Sequence, residues 1–168
     1  MKLNEVLKLD KVTGSIKKID LFLAGTNRKS IDYILAFCYR NKILHHLGKT
    51  NEALKAIYAL IPDFPKMSDD AVIAVCDTII EITLDINRLD QTKKYMDVKK
   101  KYLKASTEVL GLRDDILYEL ASKNFHKAME LLKEYLNDEI SHDQTIWALE
   151  ELAKIEYSIH DYDAYLKT

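Results

Sequence analysis

The chain has 168 residues, 48% hydrophobic and 31% charged, with a net charge of −2. That length is enough for one domain with a real core, and the slight acidity argues against nucleic acid as a partner. Two cysteines, Cys38 and Cys76, stand far apart with no CxxC pair, which excludes a disulfide scaffold and a thiolate metal site.

The N-terminal run Lys2–Asp10 alternates Leu and Val with Lys, Glu and Asp. That is an amphipathic helix and not a signal peptide, so cytoplasmic residence is expected. A second helix over Ser15–Ala24 follows Gly14, and Gly25-Thr26-Asn27 is a turn. Lys29–Leu47 carries apolar residues suited to a helix packed on more than one side. Gly48 can end that helix in the left-handed conformation. Thr50 or Asn51 then caps a helix over Glu52–Ile61, which Pro62 and Pro65 stop. Ser68 is the expected N-cap of Ala71–Ile86, with Asp69 and Asp70 favourable in its first turn. Helices follow over Asp90–Lys104, Glu108–Ala121, Phe125–Asn137 and Ser141–Ile159. The stretch Tyr162–Thr168 reads as the opening of one more. Apart from Gly111, the four Gly and two Pro fall at helix ends. No alternating stretch bounded by hairpin turns appears, and charges interrupt every apolar run before membrane-spanning length. The expected class is all-α, in a single domain over residues 1–168 with about ten helices and no membrane contact.

The stretch Leu47-Gly48-Lys49-Thr50-Asn51-Glu52-Ala53 recurs. Ile86–Thr92 repeats it with Thr92 in the place of Ala53, Ser122–Ala128 with Ala128, and Ile159–Tyr165 with Tyr165, or with Ala164 after a slip of one residue. These places are 39, 36 and 37 residues apart. A short link between helices makes neighbours antiparallel. With Gly48 before the turn, Ala53 early in the second helix and Pro65 closing the unit, the hairpin resembles a tetratricopeptide repeat. The resemblance covers most of the chain. It implies a right-handed α-α superhelix of antiparallel hairpins whose concave face binds a peptide or partner helix. The aromatic and Gly of each first helix are mostly missing, with Ala153 the one small residue at the Gly place. The family's carboxylate clamp is not matched either: its places hold Cys38, Lys42, Thr78, Leu110 and Asp114.

Residues for chemistry are scarce. Cys38 and Cys76 read as small core residues. The adjacent His45 and His46 diverge by about 100° on a helix, which is wrong for two ligands to one metal. The four glycines stand alone, so no phosphate-cradling loop exists, and no GxSxG or HExxH is present. The expectation is therefore no catalytic residue, no metal and no cofactor.

Three surfaces stand out. Asp77, Glu81 and Asp85 repeat every four residues, an acidic stripe whose like charges repel. The resemblance puts them on the concave face, with Tyr157 and Trp147 further along it, although Trp147 also reads as a core residue. Residues 86–104 hold seven basic and two acidic side chains, a net of +5, around Tyr95, Val98 and Tyr102. Residues 105–168 hold six basic and fourteen acidic ones, a net of −8. Such opposed charge permits electrostatic self-association. The leading expectation is a protein-interaction module for a peptide, most simply a basic one. A regulatory or sensor domain of a larger assembly is the alternative, and an enzyme built on scattered carboxylates comes last.

Overall fold

Gly48, Asn87 and Lys123 all take a left-handed backbone, with φ of 81°, 56° and 59°. Each closes a helix in the same way. The Gly48 N–H donates to the His45 carbonyl at 2.9 Å, and the Lys49 N–H to that of Leu44 at 2.9 Å. The same two bonds run from Asn87 to Leu84 (3.0 Å) and Arg88 to Thr83 (2.8 Å). They run again from Lys123 to Leu120 (3.0 Å) and Asn124 to Glu119 (2.9 Å). Carbonyls that a helix end would leave without donors are thereby satisfied, and the chain reverses. Five residues after each left-handed position stands a small residue with no exposed surface: Ala53, Thr92 and Ala128.

The computed structural model describes residues 1–104 and 107–167, with the backbone alone for 161–167. Nine α-helices occur among the described residues, and no strand. They are α1 (Leu3–Val6), α2 (Thr13–Ala24), α3 (Ile31–His46), α4 (Thr50–Tyr58), α5 (Asp69–Asp85), α6 (Leu89–Lys100), α7 (Glu108–Ala121), α8 (Phe125–Asn137) and α9 (His142–Lys167). The three turns join α3 to α4, α5 to α6 and α7 to α8, and each pair packs together. The chain divides into two compact units, Met1–Leu103 and Lys104–Thr168.

In the first unit α5 is the central element, packed on α3, α4 and α6. It buries Val72, Val75, Cys76, Ile79, Ile80 and Ile82. Each full burial of such a side chain contributes about 1.5–3 kcal/mol. Its start is held as expected: Ser68 Oγ accepts from the Ala71 N–H at 3.3 Å. In the second unit Ile116, Ala128, Leu132, Tyr135, Ala148 and Ile155 form one buried cluster across α7, α8 and α9.

Several expected boundaries move. The α4 helix starts at Thr50, so Lys49 is its N-cap rather than Thr50 or Asn51. It ends at Tyr58, before the prolines, and Pro62 and Pro65 sit inside a 3-10 helix over Ile61–Lys66. The N-terminal helix is the single turn Leu3–Val6, because Leu7–Val12 turns back to start α2. Gly14 lies within α2, and Gly111 is buried inside α7. The fourth turn is absent: the α9 backbone continues unbroken through Ile159–Tyr165 to Lys167. Residues 158–167 contain neither Gly nor Pro, and extending a helix adds one hydrogen bond per residue fixed. The side chains of residues 161–167, and Thr168 altogether, lie outside the described residues.

The left-handed positions differ in strain. Glycine adopts a positive φ freely, whereas an L side chain there costs about 1–2 kcal/mol. Lys123→Gly is therefore expected to stabilise the second unit by about 1 kcal/mol, and Gly48→Ala to weaken the first by a similar amount. Urea midpoints of the two variants check both signs.

Candidate functional site

The acidic residues on α5 do not face open solvent as a bare stripe. Glu81 Oε2 lies 2.5 Å from Lys42 Nζ on α3. Asp85 Oδ2 lies 2.7 Å from His45 Nε2, also on α3. Asp77 Oδ1 lies 2.6 Å from Lys99 Nζ on α6, whose side chain is only 4% exposed. The expectation of unrelieved repulsion is thus corrected. Each carboxylate meets a cationic or proton-donating side chain from a neighbouring helix, which offsets its like-charged neighbours.

The two α3 partners are held in place from their own side. His45 Nδ1 lies 2.8 Å from Thr50 Oγ1 at the start of α4. With Nε2–H donating to Asp85, Nδ1 accepts from the Thr50 hydroxyl, so a neutral ring satisfies both contacts. Lys42 is half-buried beside Cys38. Cys38 is buried, with its Sγ 3.6 Å from the Ala74 carbonyl on α5. Burial pushes its thiol up to about 11, against the lowering effects of the Thr78 hydrogen bond and the Lys42 charge. The row from α3 to α5 is therefore a buried thiol, a carboxylate ion-paired to Lys42 and a carboxylate hydrogen-bonded to an imidazole. Only Glu81 and Asp85 are strongly exposed, with side chains at 53% and 73%.

Cys38 and Cys76 are both buried, as expected for core residues. Pushed up to about 11 by burial, the Cys38 thiol stays protonated at pH 8. Iodoacetamide is expected to label neither thiol in the native state over minutes, and both once urea unfolds the chain. Mass spectrometry of the labelled protein reads the difference.

The basic helix α6 is not one cationic face. Lys99 is buried against Asp77, Lys93 pairs with Asp97 at 3.1 Å, and Lys94 lies 5.5 Å from the Tyr95 ring centre. Tyr95 is buried and stacks on Tyr58 at 5.8 Å between centroids, while Val98 and Tyr102 are half-buried.

Trp147 and Tyr157 belong to the second unit. Trp147 is half-buried, edge-on to Tyr135 at 5.6 Å, with the Arg113 guanidinium 4.7 Å from its ring centre. Tyr157 is 70% exposed. Ten residues on a helix turn through about 1000°, so the two aromatics point roughly 80° apart. Trp147 serves the core, and Tyr157 lies on an outer side of α9.

No group of three His, Cys, Asp or Glu side chains suited to a metal ion occurs among the described residues, and none of their helices is long and apolar enough to cross a membrane. Comparison of the chain with protein-family models, with curated proteins and with solved structures finds no match.

Sequence reasoning missed Lys42 and His45 as the partners of Glu81 and Asp85, and Lys99 as a buried cation. A signal for the first existed. Lys42 stands six residues before Gly48, and Glu81 six before Asn87. Equivalent places on the first helices of stacked hairpins are neighbours.

Proposed function

We propose that this is a divergent tetratricopeptide-like protein, a right-handed superhelix of helical hairpins, that binds a basic peptide or partner helix across α3 and α5. The observation that carries the reading is the turn built three times over, with a left-handed residue and, five positions on, a fully buried small one. A helix–turn–helix unit repeated at 39 and 36 residues is the construction of that class. Its first helices line the surface used for peptides. Here that surface is the Lys42–Glu81 and His45–Asp85 row.

Glu81 and Asp85 each spend one oxygen on their α3 partner. A carboxylate accepts at both oxygens, so the second remains for a Lys or Arg of a bound segment. Pairs already this exposed contribute little to folding, which leaves them open to exchange partners. The test is calorimetric titration with a panel of Lys- and Arg-rich helical and extended peptides at low salt. Binding that weakens about tenfold in Glu81→Gln/Asp85→Asn, and likewise on adding salt, supports the proposal. Failure of every peptide to bind, or equal affinity for the variant, overturns it.

A further inference from the structure

We propose that copies of this chain associate head to tail, the α2 face of one docking on the α9 face of the next. The large apolar side chains left exposed among the described residues all lie in residues 1–31 or on α9. Isolated exposed leucines are ordinary. On α9, however, the exposed apolar side chains form a row on an acidic helix, and on α2 the exposed Leu21 stands beside lysines.

On α2, Leu21 is 76% exposed. Lys17 and Lys18, one turn earlier and also exposed, share its face. Residues 1–31 carry seven basic and three acidic side chains, a net of +4. On α9, Ile146, Leu149 and Tyr157 are 42%, 52% and 70% exposed. With the exposed Ala153 they recur at i, i+3, i+7 and i+11, a continuous stripe opposite the buried Ala148 and Ile155. Glu150 and Glu156 border the stripe. Residues 142–160 carry four acidic side chains and one basic, a net of −3, and that one, Lys154, is paired with Glu151 at 2.6 Å.

The two faces therefore match as one exposed leucine beside two lysines and an apolar stripe between carboxylates. Neither matches itself, because each would set like charges together. Complementary unlike faces make a heterologous contact, which repeats from copy to copy unless the rotation closes a ring. A second copy is the occupant that supplies both the charge and the apolar side chains. This contact uses neither α3 nor α5, so it and the peptide-binding proposal fail separately.

Sedimentation velocity over a concentration series tests it. At low salt the weight-average mass is expected to climb above that of one chain as concentration rises, and to fall back at high salt. Leu21→Asp and Leu149→Asp each remove one face at an exposed position and are each expected to stay monomeric. Mixed in equal amounts, they retain one good pair of faces and give a species of two chains, no larger. Charge reversal supplies a second route. Lys17→Glu/Lys18→Glu and Glu150→Lys/Glu156→Lys are each monomeric alone and assemble when mixed. A wild-type monomer at every concentration overturns the proposal. So does either Leu variant assembling like wild type, or a mixture that yields no two-chain species.

Discussion

Ala53→Leu is expected to destabilise the first unit by about 1–3 kcal/mol, the cost of forcing added methylenes into a packed core. Ala53 has no exposed surface and sits in a cluster with Leu44, Leu54 and Ile82, drawn from α3, α4 and α5. Its position follows from the turn. The left-handed Gly48 sends the chain back at once, so the first turn of α4 crosses close to the end of α3. Anything larger than a methyl group there pushes the two helices apart. Ala128 holds the same place beside Ile116, Leu132 and Tyr135, and Ala128→Leu is expected to cost the second unit as much. At Thr92 the larger side chain is accommodated through polarity: its hydroxyl lies 2.9 Å from that of Thr83 and donates to the Arg88 carbonyl at 3.1 Å. Ala59, exposed beyond α4, is the control, and Ala59→Leu is expected to be silent. Urea denaturation of the four proteins reads the result. Wild-type stability for Ala53→Leu would mean that α3 and α4 do not cross where the structure has them cross.

The turns were the legible part of this chain, and the reason is physical. A left-handed residue followed at fixed distance by a small one is a local device, so Gly48 with Ala53 announces it. Asn87 and Lys123 obey the same geometry without the glycine, and could be found only by aligning them on Gly48. The α7 and α8 boundaries were legible because their apolar periodicity starts and stops cleanly at Glu108, Ala121, Phe125 and Asn137. Extrapolation failed at His160, the fourth place in the series. A turn is stabilised by the helix that folds back after it, and nothing in the residues around His160 compels one. Apart from the matched places of Lys42 and Glu81, the charge pairs were illegible for a different reason. Asp77, Glu81 and Asp85 form a stripe when α5 is viewed alone. Their partners Lys42, His45 and Lys99 come from other helices, and Lys99 looked like one more surface cation in a basic run. Only packing distinguishes it, by burying its side chain on the flank of α6 that meets α5.

Neutralising the stripe with Asp77→Asn, Glu81→Gln and Asp85→Asn is expected to destabilise the first unit, and Asp77 should account for most of the loss. Viewed along α5 alone, removing three like charges ought to be neutral or helpful. The ion pairs reverse that sign. Lys99 Nζ, on a side chain 4% exposed, lies 2.6 Å from Asp77 Oδ1. A charge-assisted hydrogen bond to so enclosed an ammonium contributes about 1.5–3 kcal/mol, and loss of the carboxylate weakens the compensation for burying that charge. Glu81 and Asp85 are themselves strongly exposed and are each expected to contribute at most about 1 kcal/mol. Salt should therefore erode the effect of Glu81→Gln and Asp85→Asn more than that of Asp77→Asn, since Asp77 is 43% exposed but its Lys99 partner is enclosed and screened less. The pair itself is isolated by a double-mutant cycle of Asp77→Asn with Lys99→Met, read by urea unfolding. With Lys99 replaced by an apolar side chain of similar length, Asp77→Asn should cost almost nothing further. If Asp77→Asn costs the same in both backgrounds, the contact contributes nothing to folding. If the loss is real and peptide affinity stays at the wild-type level in Asp77→Asn, the three acids divide their labour. Asp77 then holds α5 to α6, and Glu81 and Asp85 are left to meet a partner.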